Sequence, residues 1–228
     1  SCPNPYLRVF PIKEVADIGR PKGIPLIIDN TASPVICKPL AHGAAIVMHS
    51  LTKYIGGHGT SIGGIVVDGG NFDWTKNRKR QPLLNEPDQS YGGAVWIDAV
   101  PQLTGANIPF VIRLRVVLLR DTGAPLAPFN AWQIIQGLET VGLRMKQHCS
   151  NAEKVVTFLE TQKKVQNVIY PTNHQGEIKE RAKKYMQGGY GSLVGMDVGT
   201  KENGAKFIDN LKMLYHVANI GDARSLAI

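Results

Sequence analysis

The segment HSLTKYIGGHGTSIGG, which runs from His49 to Gly64, brings several reactive side chains close together. Lys53 stands between two hydroxyl residues, Ser50 and Thr52, and a glycine-rich stretch. A lysine amine can bond covalently to a carbonyl carbon, and hydroxyls can donate hydrogen bonds to a phosphate. Asp29 ends an earlier apolar run, where a carboxylate could keep a pyridine nitrogen protonated. Together these residues suggest a site for pyridoxal 5'-phosphate.

Each of these residues also has an ordinary structural explanation. A lysine after a strand is usually a solvated surface residue, and an aspartate before Asn-Thr commonly forms a turn. A glycine cluster is usually a loop. Motifs of this kind recur by chance, so spacing alone leaves the cofactor site as one hypothesis among these.

The apolar pattern predicts the elements that must position these side chains. We expect a helix at 12–20 and strands at 24–28, 45–48 and 65–67. Continuous apolar runs are typical of strands covered on both faces of a parallel sheet, so the pattern indicates an α/β fold. Ligands of such sheets gather beyond the carboxyl ends of the strands, where Asp29 and Lys53 would lie.

The side-chain directions follow if the chain stays extended beyond the second strand. Side chains of an extended chain alternate, so Ser50 and Thr52 would project to one side and Lys53 to the other. The two hydroxyls could then hold the phosphate while the amine reaches the aldehyde carbon. The glycines that follow would let the backbone turn sharply and approach the cofactor.

The second half of the chain has a different pattern. Residues 71–115 are expected to form loops with short helices, and helical spacing begins at Pro128. Asn151 can cap a second helix, which the strand-like runs VQNVIYP and GSLVGMDV and a helix at 203–214 would follow. We therefore predict a cofactor-binding domain at 1–137 and a smaller α+β domain at 138–228.

Other kinds of site fit the sequence poorly. A dinucleotide fingerprint fails because Ile62 occupies the position of its third glycine. His42, His49 and His58 lack the spacing of a zinc pair, so no metal site is expected. The G-x-S-x-G motif of serine hydrolases does not occur in the chain.

Composition limits the partners and the compartment. The net charge is +8, but its densest cluster (Lys76, Arg78, Lys79 and Arg80) lies in a loop-like segment without a recognition helix. We expect that cluster to be a solvated surface and expect no nucleic-acid partner. No window approaches the roughly 18 to 20 apolar residues of a spanning helix, so we expect a soluble protein without membrane contact. The three cysteines have no metal-ligand spacing and indicate free thiols in a reducing, cytoplasmic compartment.

The chain closely resembles the Cys/Met-metabolism family of pyridoxal phosphate enzymes and, within it, the O-acetylhomoserine sulfhydrylases. The HSLTKYIGGHGTSIGG block carries most of this resemblance, and its GGHGTSIGG part favours the sulfhydrylase branch over cystathionine synthases and lyases. The other matching segments are NPYLRVFPIKEVADI, IIDNTASP, LRDTGAPLAPFNAWQIIQGLETVGLRM, VQNVIYP and NIGDARSL.

The resemblance implies roles for individual residues. Lys53 would carry the cofactor and move protons, Asp29 would pair with the pyridine nitrogen, and Ser50 and Thr52 would bind the phosphate. Ser225 would lie near the substrate carboxylate. The activity implied is homocysteine formation from O-acetylhomoserine and sulfide by γ-replacement.

The resemblance also implies the architecture and leaves alternatives open. Such enzymes have the type I aminotransferase fold, with a mostly parallel sheet domain, a smaller C-terminal domain, and active sites shared within a homodimer or homotetramer. The family's N-terminal arm would precede Ser1 and its substrate-clamping arginine would follow Ile228, so we expect part of a longer protein. Methionine γ-lyase or cystathionine γ-synthase or γ-lyase chemistry, and a non-catalytic fragment, remain the alternatives.

Overall fold

The sheet beneath the predicted site has three strands. A computed structural model describes all 228 residues and places β1 at Ile27–Asp29, β2 at Ile46–Ser50 and β3 at Gly64–Asp68. β2 lies in the middle, parallel to β1 and antiparallel to β3. Asp29 pairs with Met48, so the predicted acid and the end of β2 lie side by side.

One prediction about this sheet was wrong and another is met only in part. We expected a mostly parallel sheet, and of the two strand pairs β1–β2 is parallel while β2–β3 is antiparallel. We expected the first strand at 24–28 to be covered on both faces. β1 is shorter, and Ile24 and Ile27 are 39% and 49% exposed.

Eight α-helices precede, connect and follow the strands. They are α1 (Ile12–Gly19), α2 (Pro82–Asn85), α3 (Trp96–Thr104), α4 (Pro109–Arg113), α5 (Arg120–Thr122), α6 (Pro128–Glu160), α7 (Gly176–Tyr185) and α8 (Lys201–Asp209). A π-helical segment, Leu114–Leu119, joins α4 to α5. The predicted helix at 12–20 and the short helices between 71 and 115 are confirmed. No single helix is long and apolar enough to cross a bilayer, although the bent pair Trp96–Thr104 and Pro109–Thr122 meets the length and composition test when taken together.

The longest helix, α6, is continuous over 33 residues. The prediction that Asn151 begins a second helix was wrong, because the helical backbone continues through it and its side chain is exposed. Asn151 Oδ1 instead accepts a hydrogen bond from Gln147 at 2.6 Å. One buried stripe explains the continuity, since its members recur every three or four residues: Ile134, Gly137, Val141, Met145, Cys149, Ala152 and Val156.

The C-terminal part contains two small strand pairs. β4 (Asn167–Ile169) and β5 (Gly195–Asp197) pair antiparallel where the sequence predicted strands. β6 (Tyr215–His216) and β7 (Leu226–Ala227) pair in parallel and were not predicted. The helix expected at 203–214 is α8, which begins earlier because Thr200 caps it by accepting a hydrogen bond from the Asn203 amide at 3.2 Å.

The main apolar core includes residues from both sides of the predicted domain boundary. Leu7, Val47 and Tyr54 belong to the same buried cluster as Met145 and Tyr185. A second cluster packs Phe72, Trp74 and Trp96 against the other side of the sheet through Ile46. The turn that bears Lys53 therefore rests on the largest core in the chain.

Candidate active site

Lys53 lies in a short, kinked turn directly after β2, and its own backbone is non-helical. This segment, Leu51–Ile55, is called the Lys53 turn below. The expectation of an extended chain at these residues was wrong: Ser50 is the last extended residue, and the backbone then closes, with Lys53 itself at φ −85° and ψ −127°. The amide of Gly56 donates to the Leu51 carbonyl at 2.8 Å, which closes the turn.

Gly63, in the glycine-rich loop, fixes the start of the Lys53 turn. The Leu51 amide donates to the Gly63 carbonyl at 2.8 Å, and the Gly63 amide donates to Thr52 Oγ1 at 3.1 Å. A Cβ at Gly63 would lie 2.8 Å from the Ile134 side chain of α6. A side chain at this position would have to displace the end of the Ile134 side chain, so the small size of Gly63 lets the loop lie close to both the turn and the helix.

The amine of Lys53 points towards the C-terminal segment. Its Nζ donates to the Ala218 carbonyl and to Asn219 Oδ1, both at 3.2 Å. The side chain is half-buried, so it is both held and accessible. The alternative that Lys53 is a freely solvated surface lysine does not match this arrangement.

Asp29 lies at the neighbouring strand end, as the sequence predicted. Its Oδ1 accepts a hydrogen bond from the Thr31 amide at 2.8 Å, the turn-forming role that was its alternative explanation. Its Oδ2 accepts no hydrogen bond from the chain, and the residue is exposed. One carboxylate oxygen thus shapes the backbone and the other is free for a ligand.

His49 lies close enough to Asp29 for the two charges to interact. Burial lowers the pKa of His49, and the nearby Asp29 carboxylate opposes this shift without reversing it. The imidazole Nδ1 is buried and has no hydrogen-bond partner in the chain. Burial thus favours the neutral form of an imidazole that lies near the free carboxylate.

The two predicted hydroxyls differ in their surroundings. The Ser50 amide donates to Thr31 Oγ1 at 2.8 Å, while the Ser50 hydroxyl has no partner in the chain. Thr52 Oγ1 lies against Gly63, whose amide donates to it at 3.1 Å and whose carbonyl lies 3.5 Å away. Ser50 is thus the freer of the two donors.

Ser225 is exposed and lies immediately before β7, where its carbonyl accepts a hydrogen bond from the Tyr215 amide at 3.1 Å. It has no hydrogen bond to Lys53. The part of NIGDARSL that reaches the Lys53 turn comes earlier, at Asn219, which accepts from the Lys53 amine. The Ala223 amide donates to the carbonyl of Gly57, just after the turn, at 2.8 Å.

A polar network missed by the sequence analysis extends from the Lys53 amine. Asn219 accepts from Lys53 and donates through Nδ2 to Asp222 Oδ2 at 3.1 Å. Arg224 donates to both oxygens of Asp222 at 3.2 Å. Burial disfavours ionisation of Asp222, yet the hydrogen bonds from Arg224 and Asn219 outweigh it and lower the pKa of Asp222 to about 2. The acid and base two positions apart in NIGDARSL were the only sequence signal for this network.

The family follows from a comparison with known proteins. The profile of the Cys/Met metabolism PLP-dependent enzymes matches residues 1–228, the whole chain. The chain belongs to this family. The family resemblance inferred from the HSLTKYIGGHGTSIGG block is thereby confirmed, and pyridoxal phosphate is its cofactor.

Individual members of the family show the same relationship. The chain is 46% identical to an O-acetyl-L-homoserine sulfhydrylase of Leptospira meyeri, over 99% of the chain and 52% of that relative. It is 40% identical to a homocysteine synthase of Schizosaccharomyces pombe, over 100% of the chain and 53% of that relative. The chain thus spans about half the length of these relatives.

Solved structures share the α/β fold. A Campylobacter jejuni structure described as an O-acetylhomoserine (thiol)-lyase matches with a TM-score of 0.88 and 35% identity, covering 99% of this chain and 55% of that one. It contains N'-pyridoxyl-lysine-5'-monophosphate. A cystathionine γ-lyase of Lactobacillus plantarum, complexed with L-serine, matches with a TM-score of 0.75 and 28% identity, covering 99% and 49%.

The side chains present fit the family's cofactor. An accessible amine, a carboxylate oxygen without a partner and a hydroxyl without a partner lie at adjacent strand ends, on Lys53, Asp29 and Ser50. These are the groups required by an aldehyde, a protonated pyridine nitrogen and a phosphate. The donor set therefore suits pyridoxal phosphate.

Proposed function

We propose that the intact protein makes homocysteine from O-acetylhomoserine and sulfide by γ-replacement. The observation that carries this proposal is the 46% identity, over 99% of the chain, to a relative named as an O-acetyl-L-homoserine sulfhydrylase. The homocysteine synthase of Schizosaccharomyces pombe and the Campylobacter jejuni thiol-lyase structure support the same reaction class. The reaction exchanges the acetate on the γ-carbon for sulfide.

Lys53 has the central role in this proposal. The bound cofactor would supply an electron sink for charge that develops at the substrate α-carbon. The Lys53 amine would attach the cofactor and, once released, take the proton from the α-carbon and return it later. Ala218 and Asn219 accept hydrogen bonds from this amine and would hold it at the site while it is free.

Asp29 and the hydroxyls would hold the cofactor in place. The free Oδ2 of Asp29 would accept a hydrogen bond from the pyridine N–H and keep that nitrogen protonated. The Ser50 hydroxyl would donate to the phosphate. The Thr52 hydroxyl accepts from the Gly63 amide and would donate to the phosphate in place of its 3.5 Å contact with the Gly63 carbonyl. Ser225 would lie near the substrate carboxylate.

The whole protein is proposed to have the two-domain type I aminotransferase architecture. Residues 1–137 would belong to the cofactor-binding domain and 138–228 to the smaller α+β domain. The active sites would be shared between subunits of a homodimer or homotetramer in the cytoplasm. The substrates are small molecules, and no nucleic acid or membrane takes part in the proposed reaction.

The direct test is product analysis with the intact, cofactor-loaded protein. O-acetylhomoserine and sulfide should yield homocysteine and acetate in equal amounts, and omission of sulfide should abolish homocysteine. Lys53→Ala should remove this turnover and the yellow absorbance of the bound cofactor. Lys146→Ala is a matched control on an exposed lysine of α6 and should leave both unchanged.

The same assay separates the proposal from its alternatives. Release of ketobutyrate from methionine or cystathionine, without sulfide-dependent homocysteine, would assign a γ-lyase. Cystathionine formed from cysteine and an acylated homoserine would assign a γ-synthase. Failure of the intact protein to bind the cofactor would leave only the non-catalytic alternative.

A further inference from the structure

The side chain of Arg144 reaches from α6 to the backbone of the Lys53 turn. Its Nη1 donates to the Tyr54 carbonyl at 2.7 Å, and its Nη2 donates to the Ile55 carbonyl at 2.9 Å. The same Nη2 also donates to the Gly137 carbonyl of α6 at 2.7 Å. One guanidinium therefore joins the helix backbone to the two residues that directly follow Lys53.

The Lys53 turn needs such donors because it ends after one turn. The last carbonyls of a helical segment have no partner within the segment. The amides of Gly56 and Gly57 bond to the Leu51 and Lys53 carbonyls, which leaves the Tyr54 and Ile55 carbonyls for Arg144.

Two glycines make this approach possible. A Cβ at Gly137 would lie 2.4 Å from the Gly56 carbonyl oxygen, so α6 contacts the turn backbone to backbone. A Cβ at Gly57 would lie 2.3 Å from Arg144 Nη1. The guanidinium thus fits closely into a space that side chains at either position would fill.

The partners of Arg144 separate it from an ordinary ion-pairing arginine. Its Nε donates to Thr140 Oγ1 at 3.1 Å, and all its other acceptors are backbone carbonyls. It forms no salt bridge with an acid of the chain. Its planar fork gives directional bonds that a lysine ammonium does not reproduce.

We propose that Arg144 is a positioning residue, which fixes the backbone of the Lys53 turn so that the Lys53 amine is directed at the cofactor and the substrate. This inference rests on the proposed role of Lys53. The amine is held on its other side by Ala218 and Asn219, so Arg144 supplies the support from α6. Loss of the fork should disorient the amine without removing any group that contacts the cofactor.

The test measures covalent attachment of pyridoxal phosphate to Lys53, which needs no substrate. The intact protein is stripped of cofactor, mixed with pyridoxal phosphate, reduced with borohydride at timed intervals and digested for mass spectrometry of the Lys53 peptide. Arg144→Gln should attach at least about tenfold more slowly than the wild type, the change expected for a barrier raised by ~1.4 kcal/mol. The pH midpoint of the bound cofactor's absorbance should also shift.

Arg20 provides the matched control. Its guanidinium also donates to backbone carbonyls, those of Gly43 at 3.1 and 3.0 Å and of Asn71 at 2.8 Å, and none of them belongs to the Lys53 turn. Arg20→Gln should lower stability as Arg144→Gln does and leave the attachment rate and the pH midpoint at wild-type values. Arg144→Lys keeps the charge but not the fork and should attach at an intermediate rate.

The outcomes separate this inference from the proposed function. Wild-type attachment by Arg144→Gln would overturn the inference, as would equal slowing in Arg20→Gln. If both Arg144 variants fail to fold while Arg20→Gln folds, the role is purely structural and the inference is also overturned. If the wild type attaches the cofactor but makes no homocysteine, the proposed function fails and the result for Arg144 still stands.

Discussion

Two carboxylates near Lys53 have different surroundings, and these assign them different tasks. Asp29 is exposed and keeps one oxygen free, whereas Asp222 is buried and all its bonds are to protein donors. The free oxygen suits a ligand, and the saturated carboxylate suits a structural network around Asn219. Substitutions at the two positions should therefore affect different measurements.

Replacement of Asp29 should affect turnover more than cofactor attachment. Asp29→Asn keeps the shape but loses the charge that would hold the pyridine nitrogen protonated, so we expect a loss of turnover on the order of 100-fold or more. The matched control is Asp73→Asn, because Asp73 accepts a hydrogen bond from the Thr75 amide at 2.9 Å in the same kind of turn. Steady-state kinetics measures the turnover of both variants. An equal loss of turnover in Asp29→Asn and Asp73→Asn would contradict the role of Asp29.

Replacement of Asp222 should change the response to acid. The pKa of Asp222 is lowered from 3.8 to about 2, so its ionised form stabilises the fold fully above about pH 4, and this contribution is lost as the pH falls towards 2. Asp222→Asn should lower the free energy of unfolding near neutral pH, because it removes the charge that accepts the hydrogen bonds from Arg224 and Asn219. We expect a loss of only about 1 to 2 kcal/mol, since Arg224 is solvent-exposed and its interaction with Asp222 is screened. Denaturant titrations should show this difference shrinking between about pH 4 and 2. A difference that grows in acid would contradict this assignment.

At the scale of elements, α6 is the support for the active-site turn. Its buried stripe packs against the main core, and its Gly137 contacts the Lys53 turn backbone to backbone. Gly142, five residues later in the same helix, has no atom within 4 Å of the position a Cβ would occupy. The two glycines therefore allow the packing of α6 to be tested within one helix.

Alanine at the two glycines should have opposite effects. Gly142→Ala should raise the free energy of unfolding by about 0.5 to 1 kcal/mol, because alanine favours the helix and meets no obstacle. Gly137→Ala should lower it by about 1 to 3 kcal/mol, because the new methyl group forces α6 away from the Lys53 turn. Chemical denaturation of the intact protein measures both changes. Equal effects would show that α6 does not touch the turn as described.

At the scale of the whole molecule, features set by neighbouring residues were predicted from the sequence, and features set by contacts between distant residues were not. Lys53 and Asp29 were located correctly relative to the strand ends because apolar runs of a few residues define those strands. The predicted extended conformation after Ser50 was wrong, because hydrogen bonds from Gly63 and Arg144, which are distant in sequence, hold the chain in a turn. Local periodicity contains no information about such contacts.

Chain separation also explains the missed residues. Asn219 lies 166 positions from Lys53, and no pattern within either segment pairs them. Asn151 looked like a helix start because helix caps favour that residue, but the buried stripe of α6 continues on both sides of it. The antiparallel direction of β3 was missed for a similar reason, since the apolar run of a strand does not encode which way the strand runs beside its neighbour.

The central claim is that Lys53 is the residue that carries the cofactor, and one measurement tests it most directly. Borohydride reduction of the intact, cofactor-loaded protein, followed by digestion and mass spectrometry, identifies the lysine that holds the pyridoxyl group. The expected result is one pyridoxyl group on the peptide containing Lys53 and none in Lys53→Ala. A pyridoxyl group on any other lysine, or an equal amount in Lys53→Ala, would contradict the account.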